Sequence, residues 1–275
     1  MTIKPKFLKH DYEATAESLK GELPDPSNIR EILEDDTQLI SPDGTIVAVF
    51  RRKVVPERIQ EPAYKVLKMV DELPANRVSA VGTIPLSRGR RNDGTWSGRK
   101  GVNDRVVDVL EKRGVRTGIL GYLPCHSTRL TKRHLEMLVD SEPLIKIVDS
   151  FYAECLPDFY QTQLAVVKNV SQYRLANTVF PTLYVSKNWQ TCYHRDGNLK
   201  GAMTAITPLG KFVGGALVLL RWAIAIPYQP GDILFFDAQQ LHGNLPFSGR
   251  RISVAFYCPR RIANCSKPRA SERKL

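Results

Sequence analysis

The chain has 275 residues, 43% hydrophobic and 25% charged, the balance of a globular protein and not of one built from membrane spans. Its 40 Lys and Arg against 28 Asp and Glu leave a formal charge of +12, which disfavours cationic partners and favours polyanions such as nucleic acid, whose condensed counterions are released by bound Lys and Arg. No apolar run approaches the roughly 18 residues of a bilayer span, the opening segment lacks the apolar stretch of a secretory signal, and the 5 cysteines form no CxxC pair; neither a disulfide framework nor a zinc site is indicated, and a reducing, intracellular compartment follows.

In chain order, residues 1–40 read as a polar N-terminal arm, with Glu31, Glu34, Asp35 and Asp36 as a solvated helical face. Next, TQLISPDGTIVAVF reads as a hairpin around the turn Ser41-Pro42-Asp43-Gly44. Pro56 then opens a helix whose stripe Ile59, Ala63, Val66, Leu67, Val70 and Leu73 is a packing face. Residues 82–125 are rich in Gly, Arg, Asn and Ser and read as long loops around a short helix near Val106 to Arg113. The run RGRRNDGTWSGRK, holding Arg91 and Trp96, is either a loop that touches DNA phosphates or a plain surface loop. A second helical block spans about 131–169, interrupted near Ser141-Glu142-Pro143.

From Asn177 the texture changes to short β runs: NTVFPTLYV, TCYH, AMTAIT, ALVLL, AIAI, DILFFD and ISVAFY. Turn chemistry separates them, at Pro208-Leu209-Gly210, Gln229-Pro230-Gly231-Asp232 and Ser248-Gly249-Arg250 among others. Strands spaced in this way predict a barrel or jelly roll. The fold class is α+β: a jelly-roll core over about 177–259 with an N-terminal helical layer packed on one sheet. One domain covers 41–265, and a basic tail covers 266–275.

His194-Arg195-Asp196 puts an imidazole and a carboxylate at i and i+2, on one side of an extended segment, where both can reach one metal. His242 follows at the end of the DILFFDAQQ run, a separation that returns the chain to the neighbouring side of a barrel. Two His and one carboxylate on one face of Fe(II) leave positions open for a bidentate 2-oxo acid and O2. An HxD pair alone is weak; its context strengthens it. Arg251 and Ser253 lie two apart on the next strand, a guanidinium and a hydroxyl suited to a buried carboxylate.

The assembled pattern GGALVL…YQPGDILFFD…LHGN…SGRRIS resembles the double-stranded β-helix of Fe(II)/2-oxoglutarate dioxygenases, and within them the TET/JBP branch, which includes small and phage-encoded enzymes. The resemblance covers residues 177–259 well, and the segment from Ser41 through the Pro56 helix more loosely. It implies His194, Asp196 and His242 as iron ligands, Arg251 and Ser253 as 2-oxoglutarate anchors, and oxidation of a base methyl group in double-stranded DNA, with 5-methylcytosine favoured and thymine open. It sets Tyr257 where an aromatic ring stacks on a flipped base, although a barrel-core tyrosine is an equal reading. Asn198, Trp96 and Arg91 complete the candidate substrate contacts. Where TET proteins often carry a His two residues after that aromatic, this chain has Pro259, which weakens cytosine-edge recognition. The resemblance assigns no residue to the C1 carboxylate of 2-oxoglutarate; Asn188 and Arg195 are candidates. The expected protein is a monomer that engages no membrane and acts in a bacterial or phage-infected cytoplasm or in a nucleus. Two other classes fit less well: a 2-oxoglutarate hydroxylase of protein side chains, RNA or nucleotides, and a non-catalytic DNA-binding module on the same barrel.

Overall fold

The alternating pattern of the C-terminal half becomes two facing sheets in the computed structural model, which describes residues 3–72 and 114–266. The strands are β1 (Lys4–Phe7), β2 (Glu31–Ile32), β3 (Thr37–Ile40), β4 (Ile46–Arg51), β5 (Arg116–Leu123), β6 (His126–Ser127), β7 (Thr182–Lys187), β8 (Thr204–Gly214), β9 (Leu217–Leu219), β10 (Ile224–Ile226), β11 (Ile233–Phe236), β12 (His242–Asn244) and β13 (Phe247–Tyr257). The larger sheet runs β1-β3-β4-β11-β8-β13-β7-β5-β6, and the smaller β12-β9-β10-β2. Segments that alternate between sheets in sequence make the β-helix expected from the strand spacing.

The period of two decides what each strand face meets. On β13, Ile252, Val254 and Phe256 point into the core shared with the helices, while Arg251, Ser253, Ala255 and Tyr257 take the opposite face, towards the barrel interior. The interior proper is filled by Leu39, Phe50, Leu219, Trp222, Leu234 and Phe236. The helices α1 (Glu13–Ser18), α2 (Glu57–Leu67), α3 (Arg129–Arg133), α4 (Leu135–Cys155) and α5 (Pro157–Val167) follow from the amphipathic stripes. Leu67 of α2 and Leu144, Ile145 and Val148 of α4 press on the outer face of the large sheet.

Several local expectations change. The helical block is not broken at Pro143: α4 continues through it, and the chain turns instead at Leu156 (φ −141°, ψ 57°) before Pro157 opens α5. An interior proline costs about 3 kcal/mol. The buried face of α4 offsets this, led by Tyr152, whose ring lies stacked 5.6 Å from Phe180 and 5.4 Å from Phe235. Residues 208–210 and 248–250 are not turns but lie inside β8 and β13, which stay in register from Phe247↔Gly214 to Phe256↔Ala205. Gly210 (φ +104°) and Gly249 (φ +103°) let the two strands bend together, and a Cβ at Gly210 would meet the Arg250 carbonyl oxygen at 2.3 Å. TCYH is not a strand: the chain bends at Tyr193 and forms only a bridge, at His194.

The segment expected as an arm wraps the barrel: β1 joins the edge of the large sheet and β2 the edge of the small one. The acidic cluster within it is not helical. Asp36 accepts from Arg51 Nε at 3.1 Å and from the Arg52 backbone N–H at 2.8 Å, neutralising a buried guanidinium.

The cysteine reading also changes. Cys125, at the β5–β6 turn, forms a disulfide with Cys265, 140 residues later in the segment after β13; Cys155, Cys192 and Cys258 remain thiols. Fold proximity, not sequence spacing, makes this pair, so the cysteine pattern gives no argument for a reducing compartment. Thiol titration of the denatured, unreduced protein should find the three thiols of Cys155, Cys192 and Cys258. Reduction should lower stability by up to about 5 kcal/mol, the entropic limit for so long a loop; five titratable thiols before reduction would show that the bridge does not form.

Candidate active site

The site begins with a backbone pairing. His194 and His242 face each other in an antiparallel bridge, His194 N–H to His242 O at 2.9 Å and His242 N–H to His194 O at 3.0 Å. This pins the loop after β7 to β12 and brings the two rings to 4.3 Å between centroids. Asp196 is held by its own backbone N–H, which donates to Ala238 O at 2.8 Å. Alternation then works as expected. His194 and Asp196 turn to one side, while Arg195 turns to the other, donating to Gln239 O at 3.0 Å and pairing with Glu17 at 2.5 Å.

The rings are oriented by backbone carbonyls. His194 Nδ1 lies 2.7 Å from Cys192 O, and His242 Nδ1 lies 2.9 Å from Gln240 O. A carbonyl can only accept, so each Nδ1 carries the proton and each Nε2 presents its lone pair, the tautomer a metal-binding imidazole requires. His194 Nε2 is 3.8 Å from Asp196 Oδ1, and His242 Nε2 is 4.0 Å from Oδ2. Two donors on one face of an ion with bonds of about 2.1 Å lie about 3.0 Å apart, so a closing movement of about 1 Å in these side chains would bring them onto a shared divalent metal. All three ligand atoms lie within 4.8 Å of one another. The edge of Phe236 packs on His242 at 5.0 Å and closes one flank. Burial pushes the Cys192 thiol up to about 11, so beside the metal site it stays a protonated packing group.

Arg251 is 2% exposed, so it is not a solvated strand charge. Its guanidinium carbon lies 5.6 Å from the Phe212 ring centre and 5.1 Å from those of Tyr228 and Phe247. Gly215 completes the pocket, since a Cβ there would meet Arg251 Nη1 at 2.7 Å. Nη2 donates to the Tyr228 hydroxyl. Among the described residues, Nε and Nη1 have no hydrogen-bond partner, and neither has the buried Ser253 Oγ. A buried cation and hydroxyl left in this state call for an anion from outside the chain.

Asn188 Oδ1 accepts from the Arg251 backbone N–H at 3.1 Å, fixing the strand that carries the guanidinium; the group that could donate to a carboxylate is its Nδ2. Arg195 faces away, as described. Tyr257 sits in a cluster with Val115, Tyr184 and Trp189, on the same β13 face as Arg251 and Ser253. Asn198 donates to Thr204 Oγ1 at 2.7 Å and bridges to Pro259, which places it beside the end of β13. Trp96, Arg91 and the basic run around them lie outside the described residues, as do the helix expected near 106–113 and the tail after residue 266. The aromatic walls of the guanidinium pocket, Phe212, Tyr228 and Phe247, and Asn244 beside them were missed as site residues; Tyr228 and Asn244 lie within the quoted YQPGD and LHGN segments, but nothing in the sequence marked them as facing Arg251, while Phe212 and Phe247 carry no motif.

Two imidazoles and one carboxylate with open positions form the donor set of non-haem Fe(II) oxygenases. Comparison with known proteins agrees. Residues 121–260 match the Tet/JBP family model, described as the oxygenase domain of the 2OGFeDO superfamily. The chain is 38% identical over 168 residues to the bifunctional helicase and thymine dioxygenase JBP2 of Trypanosoma brucei brucei, covering 54% of this chain and 15% of that protein. It is 25% identical over 260 residues to the thymine dioxygenase JBP1 of Crithidia fasciculata, covering 90% of this chain and 29% of that one. It therefore spans less than a third of either relative. Among solved structures, NgTET1 in complex with 5mC DNA shares the fold, with a TM-score of 0.59, 16% identity, and coverage of 96% of this chain and 84% of that one. The chain belongs to the Tet/JBP family of 2-oxoglutarate- and iron-dependent oxygenase domains.

His242→Ala and Asp196→Ala should each abolish stoichiometric Fe(II) binding, measured as metal content after anaerobic reconstitution, without loss of the β-rich circular dichroism spectrum. Full metal content in either variant would move the metal elsewhere.

Proposed function

We propose that the chain hydroxylates the C5 methyl group of a pyrimidine, 5-methylcytosine or thymine, in double-stranded DNA, using Fe(II), 2-oxoglutarate and O2. The observation that carries the co-substrate assignment is the buried Arg251 with its two unpartnered nitrogens, on one strand face with Ser253 and in the barrel that holds the metal cluster. When bound, the iron with its oxo acid supplies the oxidising chemistry, releasing succinate and CO2. His194 and His242 hold the ion through Nε2 and Asp196 through its carboxylate. Arg251 offers a forked pair of N–H donors to the distal carboxylate, and Ser253 adds a hydroxyl.

The DNA assignment rests on the thymine dioxygenase relatives and on the charge of +12. A methyl group inside a duplex cannot reach an iron in a barrel, so the target base leaves the stack. Tyr257 would stack on that base and Asn198 would meet its edge, with Arg91 and Trp96 gripping the strand. The oxygenase unit is residues 41–265 together with the N-terminal strands β1, β2 and β3 that complete its two sheets, acting as a monomer wherever its DNA substrate lies.

Incubation with duplexes bearing 5-methylcytosine, or thymine as the only methylated base, should give a hydroxymethyl pyrimidine by nucleoside mass spectrometry with matching succinate. The product spectrum decides between the bases. Succinate formed only with peptide, RNA or free nucleotides would overturn the DNA reading. Arg251→Lys, which loses the fork, should raise the KM for 2-oxoglutarate by about tenfold or more, as expected for a lost charge-assisted bond; an unchanged KM would remove Arg251 from the co-substrate site.

A further inference from the structure

We propose that Tyr228 is a binding residue for the distal carboxylate of the diacid, acting as a hydrogen-bond donor that Asn244 and Thr191 hold in place, and that it selects a diacid over a 2-oxo acid with no second carboxylate. The inference rests on the reading of Arg251 as the diacid anchor.

The argument is a count of protons and lone pairs. Tyr228 is fully buried. Its hydroxyl oxygen receives an N–H from Arg251 Nη2 and another from Asn244 Nδ2, the latter at 3.2 Å. The orientation of the Asn244 amide is fixed by its neighbour: the same nitrogen lies 3.3 Å from the Gly215 carbonyl oxygen, which can only accept. Asn244 Oδ1 in turn accepts from Thr191 Oγ1 at 2.9 Å. Both lone pairs of the phenol oxygen are therefore engaged, and its own proton has to be donated elsewhere.

The other unspent donors are the Nε and Nη1 of Arg251, which touches that oxygen, and the Ser253 hydroxyl two residues along the same strand face. This is a set of donors with no acceptor among the described residues. A carboxylate, with about four lone-pair sites, is the group that satisfies it. An apolar chain end would leave the donors buried and unpaired, which is how a polar pocket rejects a ligand lacking the matching group.

The network also joins the anchor to the metal. Asn244 lies two residues after His242 on β12, and Thr191 lies three before His194. The two segments that carry the imidazoles thus orient the tyrosine as well.

The test is 2-oxo acid binding to the Fe(II)-loaded protein under anaerobic conditions, read from the visible charge-transfer band of the complex. The ligands are 2-oxoglutarate and 2-oxopentanoate, which has the same chain length without the distal acid. Tyr228→Phe keeps the ring against Arg251 and removes only the hydroxyl. It should weaken 2-oxoglutarate by about tenfold or more, a hydrogen bond to a charged group, and leave 2-oxopentanoate within about twofold of wild type. Thr191→Val, at a half-buried site, should weaken 2-oxoglutarate alone by about threefold, since it acts one bond removed; this variant carries the test should Tyr228→Phe fail to fold. Equal losses for both ligands, or no loss for 2-oxoglutarate, would overturn the role of Tyr228. Wild-type protein that binds neither ligand would instead overturn the reading of the site itself.

Discussion

The two backbone hydrogen bonds between His194 and His242 are the constraint on which the site depends. An HxD pair on a loop has no defined partner until that loop is tied to another strand. The bridge ties it to β12, so one main-chain register sets the separation of all three metal donors. The same segments supply the carbonyls of Cys192 and Gln240 that fix both imidazole tautomers. Backbone geometry therefore prepares both where the donors sit and which nitrogen faces the metal, before any metal arrives.

A second constraint is the cost of burying a charge. Arg251 has no carboxylate partner among the described residues, and its surroundings are three aromatic rings, a phenol oxygen and a glycine backbone. Such a group is tolerable where the cation lies over ring faces and an anionic ligand completes its hydrogen bonds. Gly215 shows how closely the chain is fitted here, since any side chain would occupy the space of the guanidinium. Asn188, one of two candidates for the C1 carboxylate, also fixes the backbone of Arg251 through its side-chain oxygen and so sets the anchor's position from behind.

The scaffold around these groups is built for rigidity. Helices α2, α4 and α5 cover the outer face of the large sheet, so β13 is packed on one side by Ile252, Val254 and Phe256 and is free to carry polar groups on the other. The N-terminal segment adds edge strands to both sheets, and the Cys125–Cys265 bridge fastens the chain just beyond the strand that bears Arg251, Ser253 and Tyr257.

Much of this was legible in the sequence, because period and spacing are local properties. Alternation placed Arg251 and Ser253 on one face; the i, i+2 rule put His194 with Asp196, while Arg195 stayed a candidate ligand contact until the structure paired it with Gln239 O and Glu17; and turn chemistry found the β3–β4 hairpin. Local signals also misled where long-range packing overruled them. Proline at 143 reads as a break, yet the buried face of α4 carries the helix through it. Glycines at 210 and 249 read as turns, yet a paired ladder uses their positive φ to bend. What only the tertiary structure decided was which distant residues meet: Cys125 with Cys265, Asp36 with Arg51, and Tyr228 with Asn244 and Arg251. Those meetings are set by sheet register and by the closure of the barrel, and no spacing along the chain encodes them.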